Sequence, residues 1–304
     1  MIKSRIRYFI GYFISLFLLS TGKVFNIVNR ALNGEMILSI YFHNPSKETI
    51  NNLIQWLQKK GFHFISAEEL IEILKKKKKF PKGAVYMSID DGWRKNLSNV
   101  FATFSEPKIP ITLFATIEPI VNNSGFWWSY IDMGIKKGLK IPKKEILKSI
   151  DNEERIKILG NLTSSFTILD EAISMMNLKD LANERNITIG SHTYSHPILR
   201  CCNENDMQFE IGESKKMLEK MLNNTIKYFA YPNGRHSKRE MDCVESNGYE
   251  AAFGTDPDYI MKDANINIFN IPRFEISDDV SMNENICRMT GVWYSLNLSK
   301  RDNA

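Results

Sequence analysis

The spacing of apolar positions switches repeatedly between short continuous runs and a helical period, and that switching divides most of the chain into strands and helices. Residues 37–42 form an apolar run of strand length. Over residues 46–61, Ile50, Leu53, Ile54 and Leu57 fall on one helical face, and Gly61 closes the helix. Residues 62–65 read as a second strand, after which Ser66 caps a helix through Leu74 with Glu69 at the capping-box position. The lysine run 75–79 loops out to Pro81. Beyond it, residues 85–89, 111–115, 187–189, 227–230 and 251–254 read as strands, with helical patterns between most of them, notably at 205–222. Alternation of this kind predicts an α/β fold, a parallel sheet with helices outside it, closed or nearly closed.

Two stretches fall outside that alternation. About sixty residues separate the strand at 111–115 from the helix leading into residue 187, long enough to be an insertion with its own structure, at about 122–182. It contains Trp127 and Trp128, a lysine-rich helix and the segment 151–177. Each tryptophan is either a core anchor or a platform for a sugar ring, and adjacent residues rarely face the same way. The other stretch is the amino terminus, where Lys3, Arg5 and Arg7 precede the apolar run 8–22. That order resembles an export signal over residues 1–24. The run is shorter than the roughly 20 apolar residues of a comfortable span, so a short uncleaved anchor or a helix docked on the domain are the alternatives. The charge distribution favours a cytoplasmic amino terminus with the domain outside, in the cell envelope.

Length and composition fit one domain, at about 35–295, with 304 residues and 43% hydrophobic content. A net charge of +5 comes partly from Lys75–Lys79 and the lysines between 136 and 148, which read as solvated faces. No nucleic-acid module accompanies them, so nucleic acid is not an expected partner. Cys201, Cys202, Cys243 and Cys287 have no metal-site spacing and read as free or structural.

The chemistry concentrates at two strand ends. Asp90 and Asp91 follow the strand at 85–89, and His192 and His196 follow the strand at 187–189, four residues apart so that one turn brings both rings to one side. Two imidazoles and a carboxylate are a common ligand set for a catalytic divalent metal that keeps a position open for water. Taken singly, the aspartates also read as a turn or helix cap and the histidines as ordinary surface or core residues.

Together these segments resemble the polysaccharide deacetylase family, the NodB homology class of carbohydrate esterases. Ser88-Ile89-Asp90-Asp91-Gly92 resembles its first motif, usually TFDDG, and His192-Thr193-Tyr194-Ser195-His196 matches its second at every defined position. Phe229-Ala230-Tyr231-Pro232-Asn233-Gly234 is similar to the FAYPYG form of its third. The resemblance covers roughly residues 37–276. It implies a distorted (β/α) barrel and a divalent metal, Zn2+ first, held by Asp91, His192 and His196, with Asp90 as general base. It further implies a backbone N–H donor to the oxyanion at Asn233 and an acetylated glycan as substrate, for which Tyr231, Trp127 and Trp128 are the candidate contacts. Two departures stand out. Ala230 occupies a position where many members carry an arginine that holds the base, which makes Arg273 the candidate replacement. No histidine follows His236, so the family's usual acid is missing; His43, at the end of the first strand, is preferred to His236 and His63.

The expected activity is metal-dependent removal of acetyl groups, N-acetyl before O-acetyl, from an envelope or exported glycan. A catalytically silent carbohydrate-binding protein on the same fold is the alternative that the missing acid permits. Another metal hydrolase, such as a phosphoesterase, ranks last because no second carboxylate-rich cluster is visible.

Overall fold

The computed structural model describes residues 2–104 and 109–296. The chain begins with α1 (Ile2–Ser20), α2 (Lys23–Leu32), β1 (Met36–Phe42), α3 (Lys47–Lys59), β2 (His63–Ile65), α4 (Ala67–Leu74), β3 (Ala84–Ile89) and β4 (Ile111–Ala115). Five helices follow, α5 (Ile117–Asn122), α6 (Trp127–Lys136), α7 (Lys144–Leu147), α8 (Asn152–Ser165) and α9 (Met175–Ala182). Then come β5 (Ile187–Ser191), α10 (Glu204–Leu222), β6 (Tyr228–Ala230), α11 (Lys238–Ser246), β7 (Ala251–Phe253), β8 (Ile260–Met261), β9 (Phe274–Glu275) and α12 (Met282–Met289). These elements form two compact units, Met1–Ile89 with Asn96–Thr112 and Thr255–Ala304, and Asp90–Lys95 with Leu113–Gly254.

In the first unit, β1 lies parallel to β3 with Leu38 opposite Val85 and Phe42 opposite Ile89. β2 pairs with β3 in parallel, β9 with β1 in parallel and β8 with β1 antiparallel. Every residue of β1 and β3 is buried, as expected of parallel strands covered on both faces. Serine hydroxyls start the two helices that follow the early strands. Ser46 Oγ accepts from the Thr49 N–H at 3.2 Å and Ser66 Oγ from the Glu69 N–H at 3.1 Å, each satisfying a donor that a helix start leaves open. The face that α3 buries is Ile50, Leu53, Ile54 and Leu57, the face predicted by its period. β8 and β9 are two residues each, too short to leave a periodic signal in the sequence.

The amino-terminal run forms two helices. α1 packs against α12, burying Gly11, Ser15 and Leu18. α2 packs beside β1 through Val24, Val28 and Ala31. Among the described residues no single helix is long and apolar enough to cross a membrane; α1 from Arg5 and α2, bent by 64°, pass that test only as a pair.

In the second unit the strand order is β7-β6-β5-β4, with β5, β6 and β7 parallel. α10 packs on β5 and α9, and α11 packs on β7. Gly190 in β5 is required by close packing, since a Cβ there would lie 2.6 Å from the Phe114 ring and 3.0 Å from the Tyr228 carbonyl oxygen. The insertion has its own core of Trp127, Tyr130, Ile131, Leu147 and Leu162. Its lysine-rich part is not one helix, as the sequence had suggested. Gly138 turns the chain into the left-handed region at φ 80°, and Pro142 cannot continue a helix, so α6 stops at Lys136 and α7 restarts at Lys144.

Candidate functional site

The second unit brings Asp91, His192 and His196 together, with one ligand atom from each lying within 4.8 Å of the others. All three side chains are buried. Backbone geometry aims them. Asp91 and His196 both sit in the left-handed region, at φ 74° and 59°, as does Thr193 at 69°, a conformation that non-glycine residues take at a cost and that clusters at functional sites. Neighbouring hydrogen bonds hold these turns in place. The Thr116 N–H donates to the Asp91 carbonyl at 3.0 Å, the His192 N–H to the Ala115 carbonyl at 2.9 Å, and the His196 N–H to Thr193 Oγ1 at 3.0 Å.

The protonation pattern follows from the contacts. His192 Nδ1 lies 2.8 Å from the Ala230 carbonyl oxygen, which accepts but cannot donate, so Nδ1 carries the proton. In the neutral imidazole the Nε2 lone pair then faces Asp91 Oδ1 at 3.5 Å, while His196 Nε2 lies 3.4 Å from the same oxygen. That oxygen is buried with no hydrogen-bond partner among the described residues. A buried anionic oxygen facing an imidazole lone pair is unfavourable unless a cation lies between them, so this donor set fits a divalent metal. The other carboxylate oxygen, Oδ2, accepts from Trp93 Nε1 at 2.9 Å, a bond that fixes the carboxylate's rotation.

The insertion builds much of this surround. The Ile173 N–H donates to the Gly92 carbonyl at 2.9 Å and the Arg94 N–H to the Glu171 carbonyl at 2.8 Å, pinning the loop that carries Asp91. Trp127 Nε1 donates to the His196 carbonyl at 3.0 Å. Of the two tryptophans, Trp127 is thus buried as an anchor, with the Arg155 guanidinium 5.4 Å from its ring centre. Trp128 is partly exposed, stacks on Phe126 at 4.8 Å and sets its ring 4.8 Å from that of His196. Tyr231 is fully buried and stacked on His236 at 4.0 Å. Asn233 adopts φ 54°, and its side-chain oxygen accepts from Lys148 at 3.4 Å.

Asp90, 1% exposed, belongs to the same unit, whereas His43 and Arg273 belong to the first. His43 is partly exposed, its ring 5.4 Å from that of Tyr41, and its carbonyl accepts from Asn96 Nδ2 at 3.0 Å. Arg273 is fully buried; its Nη1 donates to Ser88 Oγ at 2.8 Å and its guanidinium lies 4.6 Å from the Tyr41 ring centre. It is therefore not an ordinary surface arginine.

Sequence reasoning passed over Trp93, the Ala230 carbonyl and Glu210. Trp93 had a local signal, being two residues from Asp91. Glu210 had none beyond its place on a helix. Its carboxylate accepts from the Ser195 N–H at 2.8 Å and from Ser195 Oγ at 2.5 Å, clamping the turn between the two histidines. Burial pushes the Glu210 carboxyl up to about 7, against opposing pulls from the Ser195 hydrogen bonds and Arg155.

Because that value is raised from 4.5, the folded protein holds a proton between about 4.5 and 7 that the unfolded chain releases. The resulting stability is fully present below the lower value and is lost as pH rises through the higher one. With metal removed by chelator, denaturant unfolding at pH 5 and pH 8 should show a loss on the order of 2–3 kcal/mol that Glu210→Gln abolishes. A pH dependence identical in parent and variant would refute this role.

The polysaccharide deacetylase family pattern matches residues 77–252, more than half of the chain. A poly-beta-1,6-N-acetyl-D-glucosamine N-deacetylase of Staphylococcus aureus is 27% identical over 249 residues, 79% of this chain and 73% of that protein. Among solved structures, Streptococcus pyogenes deacetylase PplD in complex with acetate matches with a TM-score of 0.61 at 15% identity, covering 84% of this chain and 97% of the other. IcaB from Ammonifex degensii matches with a TM-score of 0.60 at 16% identity over the same shares. At such identities the structural likeness establishes the fold, the NodB-type α/β fold expected from the sequence. Because the family pattern spans more than half of the chain, the chain belongs to the polysaccharide deacetylase family and is a carbohydrate deacetylase by class.

Proposed function

We propose that this protein hydrolyses N-acetyl groups on an exported or envelope glycan, with poly-β-1,6-N-acetylglucosamine as the first substrate to try. The observation that carries the reading is the convergence of Asp91, His192 and His196 beside the buried Asp90. A divalent ion in that set, with Zn2+ favoured by its two nitrogen donors and one oxygen donor, would polarise the acetyl carbonyl and lower the pKa of a water toward about 7. Asp90 takes the water's proton as general base. The Asn233 backbone N–H, presented by its left-handed turn, donates to the developing oxyanion. Trp128, partly exposed and edge-on to His196, offers the sugar a ring face.

Two assignments reach into the first unit. Arg273 orients Asp90, a reading supported by its complete burial and its bond to Ser88, two residues before Asp90 in the chain. A guanidinium set against Asp90 would favour the ionised carboxylate by opposite charge. His43 delivers the proton to the leaving amine, a reading supported by its place at the end of β1, where a barrel carries its functional groups.

Acetate release from poly-β-1,6-N-acetylglucosamine and from a panel of O-acetylated glycans tests the reading. The N-acetyl polymer should be deacetylated by the parent, and Asp90→Asn should lower turnover by roughly 10²–10⁴ while leaving bound metal unchanged. Release confined to O-acetyl substrates, or full activity in the variant, would overturn it.

The two first-unit residues separate by kinetics. Arg273→Ala should depress turnover on amides and activated esters alike. His43→Ala should depress amide hydrolysis far more than hydrolysis of an activated acetyl ester, because an ester's alkoxide leaves without a proton delivered to it. An unchanged amide-to-ester ratio in the His43 variant would assign the acid elsewhere.

A further inference from the structure

α1 has two faces of opposite character. Gly11, Ser15 and Leu18, at i, i+4 and i+7, are buried against the carboxy-terminal part of the first unit. A side chain at Gly11 would run into the Glu284 carboxylate, which is itself held by Arg288 at 2.7 Å and 2.9 Å. The Cys287 thiol meets the Ser15 carbonyl at 3.8 Å. Such fitting belongs to a helix folded as part of its domain.

The opposite face is apolar and uncovered. Ile6, Phe9, Ile10, Phe13 and Phe17 recur at i, i+3, i+4, i+7 and i+11, so they lie within an arc of roughly 100°. Each is 53–65% exposed, and Phe25 on α2 is 67% exposed. A soluble surface rarely leaves so many large apolar side chains in one stripe. Charge supplies the second observation. The first 34 residues contain no Asp or Glu, and their charges are Lys3, Arg5, Arg7, Lys23 and Arg30. By helical geometry Arg5 and Arg7 flank the stripe on its two sides, roughly 100° from its centre each way.

We infer that this face of α1 lies in the plane of a membrane with anionic headgroups, its phenylalanines at the acyl boundary and its arginines at the phosphates, while the other side of α1 stays bound to the domain. Amphipathic helices with a basic polar rim bind lipid in this way, by buried apolar area together with attraction to anionic lipid. A spanning arrangement would fit poorly, because among the described residues no single helix is long and apolar enough and the pair is bent by 64°. Charge favours this occupant over a second copy of the stripe, since the first 34 residues of a second copy offer Arg5 and Arg7 no carboxylate.

The test uses the purified full chain and vesicles of phosphatidylcholine with or without phosphatidylglycerol. Co-sedimentation should be strong with phosphatidylglycerol, weaker without it and reduced by salt. Phe13→Glu with Phe17→Glu should lower the bound fraction at least tenfold, and Arg5→Glu with Arg7→Glu should remove the dependence on phosphatidylglycerol. Acetate release from a short soluble substrate should stay within twofold of the parent in both variants, which shows that they fold. Four results would overturn membrane binding by this face. They are no vesicle binding, binding unchanged by Phe13→Glu with Phe17→Glu, a parent dimer that these substitutions dissociate without any lipid affinity, and a cellular protein whose amino terminus starts beyond residue 22. Resistance of the cellular protein to extraction at alkaline pH would overturn the in-plane placement in favour of a span.

Discussion

The geometry of the candidate site depends on one buried carboxylate oxygen. Asp91 Oδ1 faces the Nε2 atoms of two histidines at 3.4 and 3.5 Å, with no hydrogen-bond donor of its own among the described residues. Removing such a group from water costs several kcal/mol unless something positive takes water's place. The chain nonetheless invests three left-handed residues, at 91, 193 and 196, in keeping these atoms together. The His192 proton is held on the far nitrogen by the Ala230 carbonyl, so the near nitrogen stays available as a ligand.

The insertion contributes to the same end. Its strand-like segment around Ala172 and Ile173 pairs with the loop carrying Asp91 and Gly92, and its Trp127 holds the carbonyl of His196. Glu210 on α10 clamps the turn between the histidines from another side. Each motif loop is thereby braced by an element distant in sequence. Such bracing lets a strained backbone persist, because the surrounding contacts overdetermine it. A small covered core within the insertion, built on Trp127 and Leu162, underlies that brace.

How much of this was legible in the sequence follows from the range of each interaction. β1, α3, α4, β3 and β4 match their expected places to within a residue or two, because local period and serine caps specify them. The grouping of Asp91, His192 and His196 was legible because a strand end and an i, i+4 spacing are local features as well. The two short strands β8 and β9 were not legible, since pairing with β1 defines them rather than any pattern of their own. The break at Gly138 was readable in principle, and the lysine composition obscured it. Glu210 and the Ala230 carbonyl act across 15 and 38 residues of chain, so only tertiary structure could reveal them. The choice between anchor and platform for Trp127 and Trp128 likewise required knowing which ring is buried.

The central claim is that Asp91, His192 and His196 form a site for one divalent ion, and metal stoichiometry tests it most directly. Elemental analysis of the purified chain, after equilibration with Zn2+ and removal of excess, should give one equivalent per chain. Asp91→Asn and His196→Ala should each lower retention by at least tenfold, the scale expected from losing a ligand when even a supporting contact changes affinity 10–100-fold. A parent chain that retains no metal above background, or variants that retain a full equivalent, would contradict the account.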